Sequence, residues 1–328
     1  MNKKAVVLLS GGLDSTLAAC IIKAQGIQLE ALNFQTMFGC CKDDARRVAH
    51  KLGIAFTLLK VGDDYLKVIE HPKYGYGKGI NPCVDCRIYM FDLAKKFMEE
   101  TGASFLISGE VLGQRPMSQK KRDFEKIERD NNLVGRILRP LSAKLLPVTE
   151  PERAGIIDRS KLYDIQGRSR QDLVRIAEQF GITEIPQPSP GCALTTPPFA
   201  KKVKDVFDHN PDYKRWEFEI LKVGRHFRLD VDCKVILSRN ESEGEYLESF
   251  RPEGTVLLTC ANFAGPTALL AGEKTPERLR QSAALVLRYA QKPLPEPCEI
   301  LVRDHEKTET WLADLPADEA ALASWRIV

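Results

Sequence analysis

The sequence Ser-Gly-Gly-Leu-Asp-Ser at residues 10–15 combines the residue types of a phosphate-binding loop. It follows an apolar run at residues 5–9 that is long enough for a buried strand, and residues 16–22 are typical of a helix that ends at Gly26. Glycines allow backbone N–H groups to approach a phosphate, and a helix N-terminus adds positive potential. The loop lacks the lysine of the Walker A motif. The stretch predicts an anion site of another type, with a plain glycine turn as the alternative.

Three cysteines form a second group with chemical potential. Cys83 and Cys86 make a CxxC pair at the predicted start of a helix, where the helix dipole is expected to lower the pKa of a thiol. Cys192 lies in a loop rich in Pro and Gly, 106 residues after Cys86. Nine cysteines without an export signal favour thiol or metal chemistry over a disulfide scaffold. A zinc site is disfavoured, because no fourth Cys or His stands at ligand spacing.

The remaining cysteines are interpreted differently. Cys20 falls on the apolar face of the first helix and is expected to be buried, and the same structural interpretation applies to Cys233, Cys260 and Cys298. Residues 40–41, a Cys-Cys pair after the second strand, are open to two interpretations. They are either incidental, or a sulfur acceptor or alternative ligand near the mouth of the site.

The stretch from residue 114 to residue 144 is basic, with nine Lys or Arg against four acidic residues. Arg115, Lys120, Lys121 and Arg122 fall on the predicted nucleotide side of the sheet. Most charge runs are solvated loops, but beside a site that receives a polyanion they also suit contacts with an RNA backbone. Both interpretations stay open, and residues 144, 168 and 170 are weaker candidates of the same kind.

Composition indicates a soluble globular protein of two domains. The chain has 328 residues, of which 43% are hydrophobic and 28% charged. It has no cleavage-site pattern and no apolar run of membrane-spanning length, so a cytoplasmic location without membrane contact is expected. The formal net charge of +3 is too small to establish a nucleic-acid partner.

The pattern of elements predicts where these residues lie. Strand and helix patterns alternate in the first half, including a helix at residues 86–100, a strand at 104–108 and a fifth strand at 136–141. This order implies an α/β fold with a doubly wound parallel sheet, whose ligands bind beyond the carboxyl ends of the strands. A first domain over residues 1–200 and a smaller α+β domain over 212–328 are predicted, with an acidic, peripheral tail from residue 304.

A second signature, Ile-Ser-Gly-Glu-Val-Leu-Gly-Gln, occupies residues 107–114. With the loop at residues 10–15 and Arg-Pro-Leu at 139–141, it resembles the PP-loop domain of tRNA 4-thiouridine synthetases. That domain is similar to the tRNA 2-thiouridylases and, more distantly, to iron–sulfur tRNA thiolases. The resemblance covers residues 4–195 as a set of motifs. It implies a HUP-type fold like that of the adenine nucleotide alpha hydrolases.

The resemblance also implies a reaction. Such enzymes use ATP with Mg²⁺ to adenylate a uridine carbonyl oxygen, which sulfur then displaces together with AMP. Asp14 is the expected catalytic carboxylate, and Asp14 and Glu110 are the expected Mg²⁺ anchors. The residues that correspond to the nucleotide-binding positions of the family are Ser10, Gly11, Gly12, Asp14, Ser15, Phe34, Gly109, Glu110 and Gln114.

For the cysteines the resemblance leaves two versions. In the iron–sulfur thiolases a CxxC and a later lone cysteine hold a 4Fe–4S cluster through three ligands, and the fourth iron takes up exogenous sulfide. Cys83, Cys86 and Cys192 match that ligand pattern, and this version is favoured. In the other version Cys83 and Cys192 are catalytic in a persulfide and disulfide relay, which needs only one member of the CxxC.

The second domain resembles the NFACT-type RNA-binding domain in the run from residue 224 to residue 247. Ser238 replaces the glycine of that family's GRN motif, so the match is partial, and an oligomerisation or lid module is the alternative. Arg225 and Arg228 are the RNA-binding candidates in this run.

The sequence therefore predicts an ATP-dependent tRNA sulfurtransferase that forms 4-thiouridine or 2-thiouridine. Its partners would be tRNA and a sulfur donor, which is a cysteine desulfurase, a sulfur carrier or free sulfide. A homodimer is one of the assembly states left open. The alternatives are another adenylating PP-loop synthetase or amidase with a small-molecule substrate, and a non-catalytic RNA-binding or sulfur-carrier protein.

Overall fold

Five short apolar strands of the first half of the chain pair into one parallel sheet. The computed structural model describes residues 1–39, 44–188 and 191–327, so the Cys-Cys pair at 40–41 lies outside the described residues. The chain divides into two units, Met1–Thr195 and Thr196–Val328. The division precedes the predicted boundary because the helix after residue 196 packs with the second unit, where Lys202 Nζ donates to the carbonyl oxygens of Leu221 and Gly224.

The first unit alternates strands and helices. Its strands are β1 (Lys4–Leu8), β2 (Gln28–Gln35), β3 (Ala55–Lys60), β4 (Phe105–Ser108) and β5 (Ile137–Leu138). Its helices are α1 (Leu13–Lys23), α2 (Asp44–Leu52), α3 (Asp64–Glu70), α4 (Cys83–Glu100), α5 (Lys121–Asp130), α6 (Glu150–Arg153) and α7 (Gln171–Gln179).

The sheet has the order β3-β2-β1-β4-β5, with every neighbouring pair parallel. Successive residues of β1 point into two hydrophobic cores on opposite faces of the sheet. Ala5 and Val7 pack with α1, α2 and α7, and Val6 packs with α4 and α5. Helices therefore cover both faces, and the predicted doubly wound parallel sheet is confirmed. Helix α1, which follows β1, and helix α4, which leads into β4, both start at the carboxyl edge of this sheet, α1 on one face and α4 on the other.

Two local predictions for the first unit were wrong. Helix α4 begins at Cys83 rather than residue 86, because Pro82 stands at the N-cap position and both cysteines fit in the first turn. Strand β5 has two residues instead of six. The basic stretch includes a helix, α5, whose apolar side chains Phe124 and Ile127 are buried.

The second unit contains an antiparallel sheet. Its strands are β6 (Arg225–Asp230), β7 (Cys233–Leu237), β8 (Thr255–Cys260), β9 (Ala268–Ala271), β10 (Cys298–Arg303) and β11 (Thr308–Ala313). Its helices are α8 (Pro197–His209), α9 (Arg215–Glu219), α10 (Glu241–Ser249), α11 (Pro276–Tyr289) and α12 (Glu319–Trp325).

The six strands follow the order β11-β10-β8-β9-β7-β6, and α11 packs on the sheet through Leu285 and Val286. The predicted α+β class of this unit is confirmed. The prediction of a peripheral tail was wrong, since β11 pairs along its whole length with β10, and Ala313 and Leu322 are buried in the core. In the described part of the chain, no helix is long and apolar enough to cross a membrane.

Candidate functional site

The loop between β1 and α1 is held by hydroxyl groups at its two ends. Ser15 Oγ donates to the Gly12 carbonyl over 3.0 Å and lies 3.1 Å from Ser10 Oγ, and it also accepts from the Ser10 N–H. Gly12 is the N-cap of α1 and has no side chain with which to cap it. The first-turn N–H groups of α1 are therefore directed at the loop, an arrangement suited to an anion.

Two glycines permit close backbone approach at this loop. Gly11 has φ +78°, and a Cβ there would lie 2.6 Å from the N atom of Ala45 at the start of α2. A Cβ on Gly109, after β4, would lie 2.5 Å from the N atom of Ser15. The segment after β4 and the first turn of α1 are thus packed backbone to backbone, which needs glycine at both positions.

Asp14 faces the segment that follows β4. Gln114 Nε2 donates to Asp14 Oδ2 over 3.0 Å. Burial raises the pKa of the Asp14 carboxyl above its ordinary value, against the lowering effects of Gln114, Arg170 and Arg115. The structure therefore places Gln114 against Asp14, and the positive charges of Arg170 and Arg115 act on the same carboxyl.

Glu110, the second predicted Mg²⁺ anchor, is buried beside two arginines. It is 3% exposed, its Oε2 accepts from Arg139 Nε over 3.1 Å, and its Oε1 lies 3.4 Å from Arg87 Nε. Arg139 is itself buried and stacks on the Phe124 ring at 3.9 Å. Glu110 is therefore held in an ion pair with two guanidinium groups, and its Oε1 has no hydrogen-bond partner among the described residues. Its role as a Mg²⁺ anchor stays a prediction.

The CxxC pair occupies the first turn of α4, at the same carboxyl edge of the sheet as the loop. Cys83 is partly exposed, and its Sγ accepts a hydrogen bond from Asn81 Nδ2 over 2.9 Å. Arg87, the residue after Cys86, forms the ion pair with Glu110. The cysteine helix is therefore connected directly to the segment that faces the Asp14 loop.

Cys86 does not follow the expected effect of the helix dipole. Burial raises its pKa to about 11, although a hydrogen bond from the Tyr65 hydroxyl and the charge of Arg87 act in the opposite direction. The Tyr65 hydroxyl donates to Cys86 Sγ over 3.0 Å. The prediction of a lowered pKa was wrong for Cys86, because the loss of hydration outweighs the helix terminus.

Cys192 approaches the same place from the end of the first unit. The Ile80 N–H donates to the Leu194 carbonyl over 3.2 Å, which joins the segment of Cys192 to the loop before α4. Burial raises the pKa of the Tyr65 phenol, and the thiols of Cys86, Cys192 and Cys83 raise it further. The thiols of all three predicted cysteines therefore influence the Tyr65 phenol, and Cys86 Sγ contacts it directly.

The donor chemistry of this cluster suits iron and sulfur. Three thiols with no carboxylate among them are the ligand type of iron–sulfur centres. None of the described residues form a group of three Cys, His, Asp or Glu that could hold a metal ion in the arrangement seen. The three cysteines therefore match a cluster in ligand type and number but not in their arrangement, and both the cluster and the relay stay predictions.

Phe34, a further nucleotide candidate, is partly buried, whereas the basic candidates after Gln114 are exposed. Phe34, at the end of β2, is partly buried against the core on the α4 side of the sheet. Four of the basic side chains are exposed, as solvated residues or phosphate contacts would be: Arg115, Lys120, Lys121 and Arg122.

The two RNA-binding candidates of the second unit are engaged within that unit. Arg228 makes two hydrogen bonds to the Asp205 carboxylate, at 3.1 and 2.7 Å. The Arg225 guanidinium lies 4.7 Å from the centre of the Tyr289 ring. Arg228 is therefore a structural ion pair, and its predicted contact with RNA is not supported by its surroundings.

Sequence reasoning missed Tyr65, Asn81 and Arg87. Asn81 and Arg87 flank the CxxC pair in the sequence, so polar residues next to the cysteines were a usable signal. Tyr65 lies 21 residues before Cys86 in another helix, and no local pattern indicates it.

Two family models match the chain, one in each unit. The tRNA methyl transferase HUP domain matches residues 3–132, and the NFACT protein RNA binding domain matches residues 224–326. The predicted HUP-type fold of the first unit and the predicted likeness of the second unit to the NFACT family are confirmed.

Curated relatives are tRNA-specific 2-thiouridylases. The enzyme MnmA of Clostridium acetobutylicum is 37% identical over 127 residues, which cover 33% of this chain and 36% of the relative. MnmA of Clostridioides difficile is 34% identical over 126 residues, covering 33% and 35%. The chain spans about a third of the length of these relatives.

Among solved structures, a 4-thiouridine synthetase–RNA complex with bound ATP has a TM-score of 0.42 and 21% identity, over 66% of this chain and 53% of that chain. The U34-tRNA thiolase NcsA from Methanococcus maripaludis, solved with its 4Fe–4S cluster, has a TM-score of 0.32 and 16% identity, over 66% and 69%.

Proposed function

We propose that this protein is an ATP-dependent tRNA sulfurtransferase, which adenylates a uridine carbonyl oxygen and replaces it with sulfur to form 4-thiouridine or 2-thiouridine. The observation that carries the proposal is the Arg87–Glu110 ion pair, which joins the CxxC helix to the segment packed on the phosphate-type loop at the carboxyl edge of one sheet. An amide-forming synthetase needs the loop but has no use for the thiols.

The first half-reaction uses the Asp14 loop. The uridine oxygen attacks the α-phosphorus of ATP, and pyrophosphate leaves with the charge of two phosphates. The N–H groups at the start of α1 and the nearby Arg115 and Arg170 would stabilise that charge. Asp14 and Glu110 would anchor Mg²⁺, directly or through water, since Glu110 Oε1 has no hydrogen-bond partner among the described residues.

The second half-reaction uses the thiols. In the relay version, the terminal sulfur of a persulfide on Cys83 attacks the activated carbon and AMP leaves. Cys192 thiolate then attacks the Cys83 sulfur, so that the thiolated base departs and a Cys83–Cys192 disulfide forms. An external thiol reduces this disulfide with two electrons, and the sulfur donor reloads Cys83.

In the cluster version, Cys83, Cys86 and Cys192 would hold a 4Fe–4S cluster, which supplies bound sulfide when loaded. The protein's own part is the same in both versions, since these residues keep sulfur beside the activated base. We propose tRNA as the substrate because the second unit matches an RNA-binding family and exposed basic residues follow Gln114.

ATP–pyrophosphate exchange with and without tRNA tests this proposal. Exchange should depend on added tRNA, and nucleoside mass spectrometry should detect a thiouridine once sulfide or a persulfide donor is supplied. Exchange that ignores tRNA would favour a small-molecule synthetase. Absence of exchange under both conditions, in protein that is folded, would contradict the adenylation step.

Anaerobic purification separates the two sulfur versions. Iron, acid-labile sulfide and the visible spectrum would be measured for wild type, for Cys83→Ala and for Cys260→Ala as a matched control in the second unit. The cluster version requires iron in wild type and in Cys260→Ala, with loss in Cys83→Ala. If protein without iron still thiolates tRNA, the cluster version is excluded and the relay version remains.

A further inference from the structure

Three cations gather around one tyrosine of the first unit. Lys73 Nζ lies 5.1 Å and Lys126 Nζ lies 4.6 Å from the centre of the Tyr74 ring. Arg129 Nη2 donates to the Tyr74 hydroxyl over 3.0 Å. The side chains of Lys73 and Arg129 are 67% and 64% exposed, so an anion in solution can reach the group.

One carboxylate faces these three charges. Asp130 accepts from Lys73 Nζ over 2.7 Å and from Arg129 Nε over 3.3 Å. It also accepts from the Tyr74 hydroxyl over 2.8 Å. Among the described residues, Lys126 contacts the Tyr74 ring and forms no ion pair. Three cations and one carboxylate leave an excess of positive charge on this surface, which attracts anions.

Two of these cations belong to a row along α5. Arg122, Lys126 and Arg129 follow one another at spacings of four and three residues, so they lie on one face of the helix, about one turn of 5.4 Å apart. The Arg122 side chain is 72% exposed. Like charges at this spacing destabilise a helix. Such a row suits an extended polyanion better than a single small anion, and an RNA backbone is a polyanion of this kind.

The Tyr74 group is attached to the first turn of the cysteine helix. Asp85 lies between Cys83 and Cys86 in α4 and is 7% exposed. Its carboxylate accepts from the Lys73 N–H over 2.8 Å and from the Tyr74 N–H over 3.1 Å. A polyanion bound at this group would therefore pass the end of α4 that carries the cysteines.

We propose that Lys73, Lys126 and Arg129 bind phosphates of the RNA backbone next to the nucleotide that is modified, and that Tyr74 and Asp130 position these cations. Modification of that nucleotide rests on the proposed function, whereas binding of the phosphates does not. Lys and Arg donate charge-assisted hydrogen bonds to phosphate oxygens. Contacts of this type read no sequence, but they fix the register of the RNA relative to the thiols.

Filter binding of an unmodified tRNA transcript at several salt concentrations tests the proposal. The double variant Lys126→Gln, Arg129→Gln should bind about 5- to 20-fold less tightly at low salt. The slope of log affinity against log salt should become shallower by roughly 0.7–0.9 for each of the two lost contacts. The swapped variant Lys126→Arg, Arg129→Lys keeps both charges and should retain the wild-type slope.

The matched control is Lys161→Gln with Arg175→Gln, which removes one Lys and one Arg from other exposed positions of the first unit. Its affinity should stay within about 2-fold of wild type. An equal loss in the control would assign the effect to net charge and overturn the proposal. Wild-type affinity in the double variant would also overturn it, and would favour an acidic protein as the partner of this surface.

Binding of tRNA needs neither ATP nor sulfur, so the two proposals fail in different ways. If wild type binds tRNA through these residues but forms no thiouridine, the proposed function is contradicted and the phosphate contacts stand. If wild type thiolates tRNA and the double variant binds tRNA as wild type does, the phosphate contacts alone are contradicted. Wild type that binds no tRNA overturns them as well.

Discussion

Arg87 Nε lies 3.4 Å from Glu110 Oε1, and this ion pair connects the cysteine helix α4 to the segment that faces the Asp14 loop. Arg139 holds the other Glu110 oxygen at 3.1 Å. A carboxylate shared by two arginines in a buried position fixes the separation between the two halves of the candidate site. The contribution of this ion pair to stability can be measured with variants of Glu110 and Arg87.

Replacement of Glu110 by Gln should lower the free energy of unfolding. It leaves the partly exposed Arg87 without a carboxylate among the described residues, while Arg139 keeps its ion pair with Glu128, so the expected loss is about 1.5–3 kcal/mol of unfolding free energy. Arg87→Met should cost less, about 1 kcal/mol, since Glu110 retains Arg139. Urea denaturation of each variant measures both values.

The exposed pair Arg175–Asp172 has the same 3.4 Å separation and provides the control. Arg175→Met should change the free energy of unfolding by less than about 0.5 kcal/mol. A loss for Glu110→Gln no larger than that of this control would mean that the buried pair contributes nothing to the site's frame.

Gly109→Ala should disturb the loop more than Gly12→Ala. A methyl group on Gly109 would overlap the N atom of Ser15 at 2.5 Å, whereas the nearest contact for Gly12 is Ser10 Oγ at 3.5 Å. We expect Gly109→Ala to lose about 1–3 kcal/mol of stability through overpacking, and Gly12→Ala to stay within about 1 kcal/mol of wild type. Equal midpoints in chemical denaturation would contradict the close packing of these segments.

The parallel sheet could be predicted because its strands are buried on both faces and appear as continuous apolar runs, as at residues 5–9. The fold of the second unit was harder to predict from the sequence. In strand β11 the exposed face holds Thr308, Thr310 and Leu312, and the inner face holds Glu309, Trp311 and Ala313, so polar and apolar residues occur on both faces. Its place in the sheet follows from pairing with β10, which no local pattern reports.

The candidate site likewise has features that the local sequence predicts and contacts that it does not. The Asp14 loop and the CxxC pair depend on neighbours in sequence, so their spacing is visible in the chain. The contacts Arg87–Glu110 and Tyr65–Cys86 join residues more than 20 positions apart and exist only after folding. The direction of the Cys86 pKa shift depends on burial, which sequence spacing does not report.

Asp14→Asn should abolish adenylation without unfolding the protein. Asn keeps the shape of Asp and can still bond Gln114, but it removes the charge that would bind Mg²⁺. ATP–pyrophosphate exchange should fall on the order of 10²–10³-fold. Asp172→Asn on α7 is the control and should exchange at the wild-type rate. Exchange above a tenth of wild type in Asp14→Asn would rule out a central role for this carboxylate.

Neutralising the exposed basic residues after Gln114 should weaken tRNA binding. A triple variant Lys120→Gln, Lys121→Gln, Arg122→Gln is expected to bind tRNA less tightly at low salt and to show a shallower dependence of affinity on salt. Each lost phosphate contact should reduce that slope by roughly 0.7–0.9. Filter binding at several salt concentrations measures it.

The control for this prediction changes three other exposed lysines of the first unit, Lys51, Lys96 and Lys161, to Gln. It removes the same charge from different places. If both triple variants lose affinity equally, the effect is one of net charge, and the basic stretch has no specific role in RNA binding.

Lys234 in the second unit should make stability rise with pH. Burial and the neighbouring Arg228 lower its pKa to about 8, although Asp205 acts in the opposite direction. Between pH 8 and 10.5 the folded lysine is therefore neutral while the unfolded lysine binds a proton, so the unfolded state holds more protons and unfolding becomes less favourable as pH increases. Lys234→Met should remove on the order of 2–3 kcal/mol of that rise, whereas Lys204→Met, at an exposed position of α8, should keep it. Parallel pH profiles of unfolding free energy for wild type and Lys234→Met would show that the buried lysine titrates normally.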